Sequence, residues 1–144
     1  MEIEAGSSIL LDTNCFIYYF EDNDIYADKL EKLFSSIQNG YLKAYMSVLT
    51  LLELLVKPKI DGNLFLENRY KLTLMNYPNL KVIDVSIGIS DIAAGLRAEY
   101  SLKVPDAIIL ATALYVKADG FVTNDIRLRS VCESKGMNLI SISE

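Results

Sequence analysis

Short runs of apolar residues alternate along the chain with longer segments in which apolar residues recur every three or four positions. The short runs are typical of buried β-strands, and the longer segments have the period of amphipathic helices. Strands are predicted at five places, residues 8–11, 43–49, 80–85, 121–123 and 139–142. Helices are predicted between and after them, around residues 30–37, 50–57, 61–76, 89–100, 105–113 and 126–135.

The alternation of strands and helices indicates the fold class. Short apolar strands that are separated by helices form a mainly parallel sheet, and the helices cover both of its faces. We therefore predict an α/β fold, a three-layer α/β/α sandwich with a central, mainly parallel sheet. Nothing in the sequence has the composition of a linker, a repeat or a low-complexity segment, so residues 1–144 are expected to form a single domain.

The composition narrows the chemistry that the chain could carry out. The chain has 144 residues and no His, which excludes catalytic triads that need His, His-based ribonuclease mechanisms and HExxH zinc sites. Its two cysteines, Cys15 and Cys132, are too few for a four-cysteine zinc site or a disulfide framework. Polar chemistry must therefore come mainly from carboxylates, hydroxyls, amides, Lys, Arg or Tyr.

The net charge of −5 would ordinarily count against a nucleic-acid partner, because phosphate binding favours a basic surface. The acidity is unevenly distributed, since residues 1–40 carry eight acidic and two basic side chains and residues 41–144 carry eleven and twelve. The N-terminus lacks the basic start of a signal peptide, and the longest apolar stretch, residues 107–116, is too short to span a bilayer. A cytoplasmic location without membrane association is therefore expected.

Four acidic residues stand at the boundaries of predicted elements, and each has a local structural explanation. Asp12 follows the first strand, where Asp commonly caps a turn or a helix. Glu53 lies in a Thr50-x-x-Glu53 pattern that matches a capping box. Asp106 stands in a first helical turn, and Asp125 would cap the last helix. None of the four acids is diagnostic of a site by itself.

The joint placement of these acids favours a site. In a parallel sheet, the strands that precede Asp12, Glu53 and Asp125 end along one edge, and α/β folds bind their ligands at that edge. Carboxylates that converge there repel one another unless a cation neutralises them. Oxygen ligands without His or Cys favour Mg²⁺ or Mn²⁺ over zinc. Together with Asp106, these acids predict a metal site for phosphate chemistry.

Four motifs that extend over nearly the whole chain resemble those of the PIN-domain nucleases, most closely the VapC-type toxins of prokaryotic toxin–antitoxin pairs. The motifs are Ile9-Leu-Leu-Asp12-Thr-Asn14, Ser47-x-x-Thr50-x-x-Glu53, Leu102-Lys-Val-Pro-Asp106-Ala-Ile-Ile-Leu-Ala111-Thr-Ala113 and Phe121-Val-Thr-Asn-Asp125. The third motif is the most specific of the four.

The resemblance implies an α/β/α sandwich that hydrolyses RNA with Mg²⁺ or Mn²⁺. The residues that it assigns to the catalytic, metal-binding acidic cluster are Asp12, Glu53, Asp106 and Asp125. Among these, Asp12 and Asp106 are expected to be direct metal ligands, and the resemblance suggests supporting roles for Asn14 and Thr123. It further implies an antitoxin protein that occludes the site, and a homodimer.

Two other interpretations stay open at this point. A phosphatase of the haloacid-dehalogenase type would use Asp12 as its nucleophile, although Asn14 stands where that class has a second acid. A non-catalytic module would use the acids only as helix caps and would bind RNA or protein. Residues that could contact RNA, or equally form an ordinary solvated or packed surface, are Lys57, Lys59, Arg69, Lys71, Arg127, Arg129, Tyr18 and Tyr19.

Overall fold

The computed structural model describes residues 2–21 and 23–143, and its strands form a single five-stranded sheet. The strands are β1 (Ser8–Leu11), β2 (Lys43–Ser47), β3 (Leu80–Ile83), β4 (Gly120–Thr123) and β5 (Asn138–Ser141). Their order across the sheet is β3-β2-β1-β4-β5, and every neighbouring pair is parallel. The predicted parallel sheet is confirmed.

Seven α-helices lie among the described residues, in the connections between strands. They are α1 (Thr13–Phe20), α2 (Ala27–Gln38), α3 (Val48–Ile60), α4 (Leu64–Asn76), α5 (Ile87–Tyr100), α6 (Val104–Tyr115) and α7 (Arg129–Ser134). A 3₁₀ turn at Ile126–Leu128 precedes α7.

Helices cover both faces of the sheet and give two hydrophobic cores. Strand β1 shows the division, because Ile9 and Leu11 belong to the core with α1 and α2, whereas Leu10 belongs to the core with α5 and α6. All three side chains are fully buried. Successive side chains of a strand point to opposite faces, so a strand this apolar must lie between two helical layers. The predicted three-layer sandwich is therefore confirmed.

The start and the end of α3 differ from the prediction. The helix begins at Val48 and not at Thr50, because the Ser47 hydroxyl accepts a hydrogen bond from the backbone N–H of Leu49 at 3.1 Å and so caps the helix. The helix also continues through Pro58 to Ile60. Pro58 has no N–H to donate to the carbonyl of Leu54, but the loss is confined to one hydrogen bond near the end of the helix, which stops two residues later.

The position of β1 determines where a ligand site would form. Strand β1 lies at the centre of the sheet, between β2 and β4, and the chain builds the sheet outward on one side before it crosses to the other. Such a point of reversal leaves a crevice at the carboxyl ends of the strands. Within the described part of the chain, no helix is both long enough and apolar enough to pass through a membrane.

Candidate active site

Asp12 lies at the carboxyl end of β1 and is the N-cap of α1. One carboxylate oxygen, Oδ1, accepts a hydrogen bond from the backbone N–H of Thr13 at 2.8 Å. The other, Oδ2, accepts a hydrogen bond from the Thr123 hydroxyl at 2.7 Å and a longer one, 3.4 Å, from the Asn14 amide. Asp12 thus caps α1, as the sequence suggested, and also lies at the edge of the sheet.

Burial makes the Asp12 carboxyl a weaker acid than an ordinary Asp side chain. Only 9% of Asp12 is exposed to solvent. This burial raises the pKa of Asp12 from 3.8 to about 6, against the opposing effect of the hydrogen bonds from Thr123 and Thr13. The negative charges of Asp106 and Glu53 raise the pKa of Asp12 further. A carboxyl whose ionised form is disfavoured in this way gains from a nearby cation.

Glu53 is bound to Thr13, and the capping box that its spacing suggested is absent. The Thr13 hydroxyl donates to Glu53 Oε1 at 2.7 Å and lies 2.9 Å from the hydroxyl oxygen of Thr50. Because Thr13 has a single hydroxyl proton, the Thr50 hydroxyl is the donor to Thr13. Ser47 already caps α3, so the Glu53 side chain is free to reach back across the sheet edge toward β1.

A second set of hydrogen bonds joins the end of β1 to the end of β4. The Asn14 side chain donates to Thr123 Oγ1 at 3.3 Å and accepts from the backbone N–H of Asn124 at 3.1 Å. The backbone N–H of Asp125 donates to Thr123 Oγ1 at 3.0 Å. Asn14 and Thr123 therefore hold Asp12 and the loop after β4 in a fixed relation.

Asp106 lies in the first turn of α6, as the sequence predicted, and is half-buried. Burial is the largest cause that raises the pKa of Asp106, and the charge of Asp125 raises it as well. The positive charges of Arg127 and Lys103 lower the pKa of Asp106 in part. Asp106 thus interacts electrostatically with Asp12 on one side and with Asp125 on the other.

Asp125 is paired with an arginine of its own loop. Its side chain caps the 3₁₀ turn by accepting from the backbone N–H of Arg127 at 3.1 Å. The Arg127 guanidinium donates to both carboxylate oxygens, each at 2.8 Å. These hydrogen bonds hold the pKa of Asp125 below its ordinary value. The sequence placed Arg127 near the site but did not indicate this pairing.

The carboxylates of the site could hold a hard divalent cation such as Mg²⁺ as a pair of ligands. Among the described residues, no three Asp, Glu or Cys side chains are close enough together to hold a metal ion between them. Mg²⁺ in proteins, however, is often held by one or two carboxylates, with water and substrate phosphate in its other positions. Asp12 and Asp106, which are buried or half-buried and interact electrostatically, fit that pattern as a pair.

Other residues that the sequence suggested for RNA contact have structural partners. Lys59 and Lys71 both form ion pairs with Glu67, and the pair with Lys59 joins α3 to α4. Tyr19 stacks on Phe34 with ring centroids 4.0 Å apart, in the core. Tyr18 lies nearer to the acids, because its hydroxyl accepts a hydrogen bond from the Asn124 side chain at 3.3 Å.

The sequence analysis gave no role to Thr13 and only a helix-capping role to Thr50, and it did not predict that the two residues meet. Both are buried, Thr50 completely. The one signal available in the sequence was the presence of two hydroxyl side chains at the starts of apolar helices. That signal does not reveal that residues 37 positions apart meet.

Comparison with known proteins identifies the family. Residues 9–134 match the PIN domain family, which is most of the chain. The chain belongs to the PIN domain family. No curated protein sequence matches it.

Solved structures show the same PIN fold. A toxin–antitoxin complex from Klebsiella pneumoniae contains a chain that is 25% identical, with a TM-score of 0.71 and with 94% of this chain and 98% of that chain covered. VapBC2 from Rickettsia felis, bound to a DNA fragment from their promoter, is 21% identical with a TM-score of 0.70, covering 93% and 98%. VapBC-1 from nontypeable Haemophilus influenzae is 19% identical with a TM-score of 0.68, covering 95% and 99%. The PIN domain match and these neighbours agree on the fold of the chain.

Proposed function

We propose that this PIN domain is a Mg²⁺- or Mn²⁺-dependent ribonuclease, the toxin of a toxin–antitoxin pair, which acts in the cytoplasm as a single domain. The observation that carries the proposal is the buried carboxyl of Asp12 at the centre of the sheet edge, with a pKa near 6 and with Asp106 and Glu53 acting on it. Buried carboxylates that repel one another destabilise the fold unless a cation neutralises them. A divalent cation bound beside a crevice could then act on a phosphodiester substrate.

The residues of the site would have distinct tasks. A divalent ion held at the cluster would supply charge stabilisation for the scissile phosphate and would lower the pKa of a bound water. Asp12 and Asp106 would hold the ion, while Glu53 and Asp125 would complete the acidic surroundings, through water or by binding a second ion. Thr123 and Asn14 keep the Asp12 carboxylate in its orientation.

The chain has no His, so a side-chain imidazole cannot act as the general base. Attack by water would leave a 5′-phosphate and a 3′-hydroxyl. Attack by the 2′-hydroxyl of RNA would instead leave a 2′,3′-cyclic phosphate. Analysis of the product ends therefore separates the proposed hydrolysis from that alternative, and a cyclic product would contradict the mechanism.

The experiment that tests the function is cleavage of structured and unstructured RNA by the purified chain with Mg²⁺, with Mn²⁺ and with a chelator. We expect cleavage that needs the metal and that is abolished in Asp12→Asn and in Asp106→Asn. Asp91→Asn, which changes an exposed acid of α5, is the matched control and should cleave like the wild type. Circular dichroism would verify that each variant is folded. Equal cleavage by the two site variants would refute the assignment, and RNA binding without cleavage by the wild type would favour a non-catalytic module.

The partners are also part of the proposal. The similar chains from Klebsiella pneumoniae and Rickettsia felis come from toxin–antitoxin assemblies, which supports an antitoxin partner here. The outer side of α3 exposes apolar side chains at four-residue spacing, Leu52, Val56 and Ile60, which favours a protein contact. We expect a homodimer in light scattering and a monomer for Val56→Glu. A monomeric wild type would contradict the homodimer.

A further inference from the structure

Arg127 engages both of the oxygens that Asp125 could offer to another ligand. Its Nε donates to Oδ1 and its Nη2 donates to Oδ2, each at 2.8 Å. Its backbone N–H donates to Oδ1 as well. A divalent cation that takes an oxygen of Asp125 must therefore compete with this guanidinium.

The pairing has the features of an exchangeable contact. The Arg127 side chain is 82% exposed, whereas that of Asp125 is 21% exposed. An arginine this exposed buries little surface, so release of its guanidinium into water removes little packing from the fold. The 3₁₀ turn keeps its backbone cap from Asp125 even when the guanidinium moves, because that hydrogen bond comes from the main chain.

The charge of Arg127 acts on more than one acid of the cluster. It lowers the pKa of Asp106 as well as that of Asp125. The guanidinium thus partly neutralises the side of the cluster that Asp106 and Asp125 form. When a divalent ion neutralises the same acids, the attraction that holds Arg127 in place is reduced, and the like charges of ion and guanidinium repel each other.

We propose that Arg127 is an intramolecular counter-ion, which a divalent cation displaces from Asp125 and whose released guanidinium then binds a phosphate of the RNA substrate. The first half rests on the metal site of the proposed function, and the second half rests on its RNA cleavage. The planar fork of a guanidinium matches two phosphate oxygens as it matches two carboxylate oxygens. Arg127 follows Asp125 by two residues, so the displaced side chain stays at the rim of the site.

Titration calorimetry with Mn²⁺ alone tests the first half on the intact chain. We expect Arg127→Ala to bind Mn²⁺ about three- to tenfold more tightly than the wild type, because a competing cation is removed. Arg127→Lys should lie between them, since it keeps the charge but loses the fork. Lys32→Ala, which removes an exposed cation of α2, is the control and should bind Mn²⁺ like the wild type. Equal affinity in the wild type and Arg127→Ala, or no Mn²⁺ binding by either, would overturn the proposal.

Steady-state cleavage at saturating Mn²⁺ tests the second half. We expect Arg127→Ala to raise the KM for RNA about tenfold, in the range of one lost charge-assisted phosphate contact, with a smaller change in kcat. The variant would then bind metal better and RNA worse, a pair of opposite effects that loss of folding does not produce. An unchanged or lower KM refutes the phosphate contact. If the wild type cleaves no RNA while Arg127→Ala still gains Mn²⁺ affinity, the nuclease function and the phosphate contact fail and the counter-ion stands.

Discussion

Replacing Asp12 by Asn is expected to stabilise the metal-free protein increasingly as the pH rises. Burial raises the pKa of Asp12 from 3.8 to about 6 in the folded state. Between these two values the folded chain holds a proton that the unfolded chain has lost, so stability falls as the pH rises. The difference between the two pKa values corresponds to about 3 kcal/mol at pH 8, of which about 2 kcal/mol develops above pH 4.5.

The asparagine variant has no charge to bury, and this part of the pH dependence should disappear. Its amide oxygen can still accept from the backbone of Thr13, but its NH₂ group must face the Thr123 hydroxyl, which already accepts two hydrogen bonds. That mismatch costs about 1 kcal/mol at every pH. The informative quantity is therefore how the difference in the free energy of unfolding between the variant and the wild type changes with pH. The value of that difference at a single pH is not informative.

Urea denaturation in the presence of a chelator, at steps from pH 4.5 to pH 8, measures this quantity. We expect the free energy of unfolding of Asp12→Asn, relative to that of the wild type, to rise by about 2 kcal/mol over that range. Asp91→Asn on the exposed surface of α5 controls for the loss of one acid. A difference that stays constant, or that shrinks as the pH rises, would show that Asp12 is not held in the folded state at a cost, and the argument for a cation at this place would lose its basis.

Three further predictions follow from contacts elsewhere in the structure. Thr13→Val should cost about 1–3 kcal/mol in urea denaturation, because the partners Thr50 and Glu53 lose their hydrogen bonds, whereas Thr13→Ser should retain most of the stability. Hydrogen bonds from two lysines lower the pKa of Glu67, so the stability that these ion pairs give is present above pH 4.5 and is lost as the pH falls. Glu67→Gln, which has no such charge, should therefore lose less thermal stability between pH 6 and pH 3.5 than the wild type. Burial raises the pKa of both cysteine thiols, that of Cys132 to about 11, so neither should react with a thiol reagent at pH 8 until urea is added.

The arrangement of the sheet could be predicted from the sequence because it depends on local patterns. Apolar runs such as Ile9–Leu11 are buried on both faces only in a parallel sheet between helices, and their order along the chain then brings the following loops to one edge. The expectation that Asp12, Glu53 and Asp125 lie along one edge of the sheet follows from this reasoning alone. It needed no knowledge of side-chain contacts.

The hydrogen-bond network of the site could not be predicted, because it depends on register and on which of two helix caps is used. Both Ser47 and Thr50 can cap a helix, and the choice follows from where β2 ends. Once Ser47 is the cap, Thr50 turns inward to Thr13, and Glu53 follows it. The contact between Thr13 and Glu53 joins residues 40 positions apart, and no local pattern specifies it.

The strand order also determines when the candidate site is assembled during synthesis of the chain. Strand β1 takes one neighbour from β2 and the other from β4, and the backbone N–H of Asp12 donates to the carbonyl of Val122 in β4. A nascent chain that has emerged only as far as β3 has neither Asp106 nor Thr123, so Asp12 lacks both its partner acid and the hydroxyl that orients it. Under the proposed ribonuclease function, the site of the nascent chain stays incomplete, among the RNAs that the enzyme would cut, until β4 has left the exit tunnel.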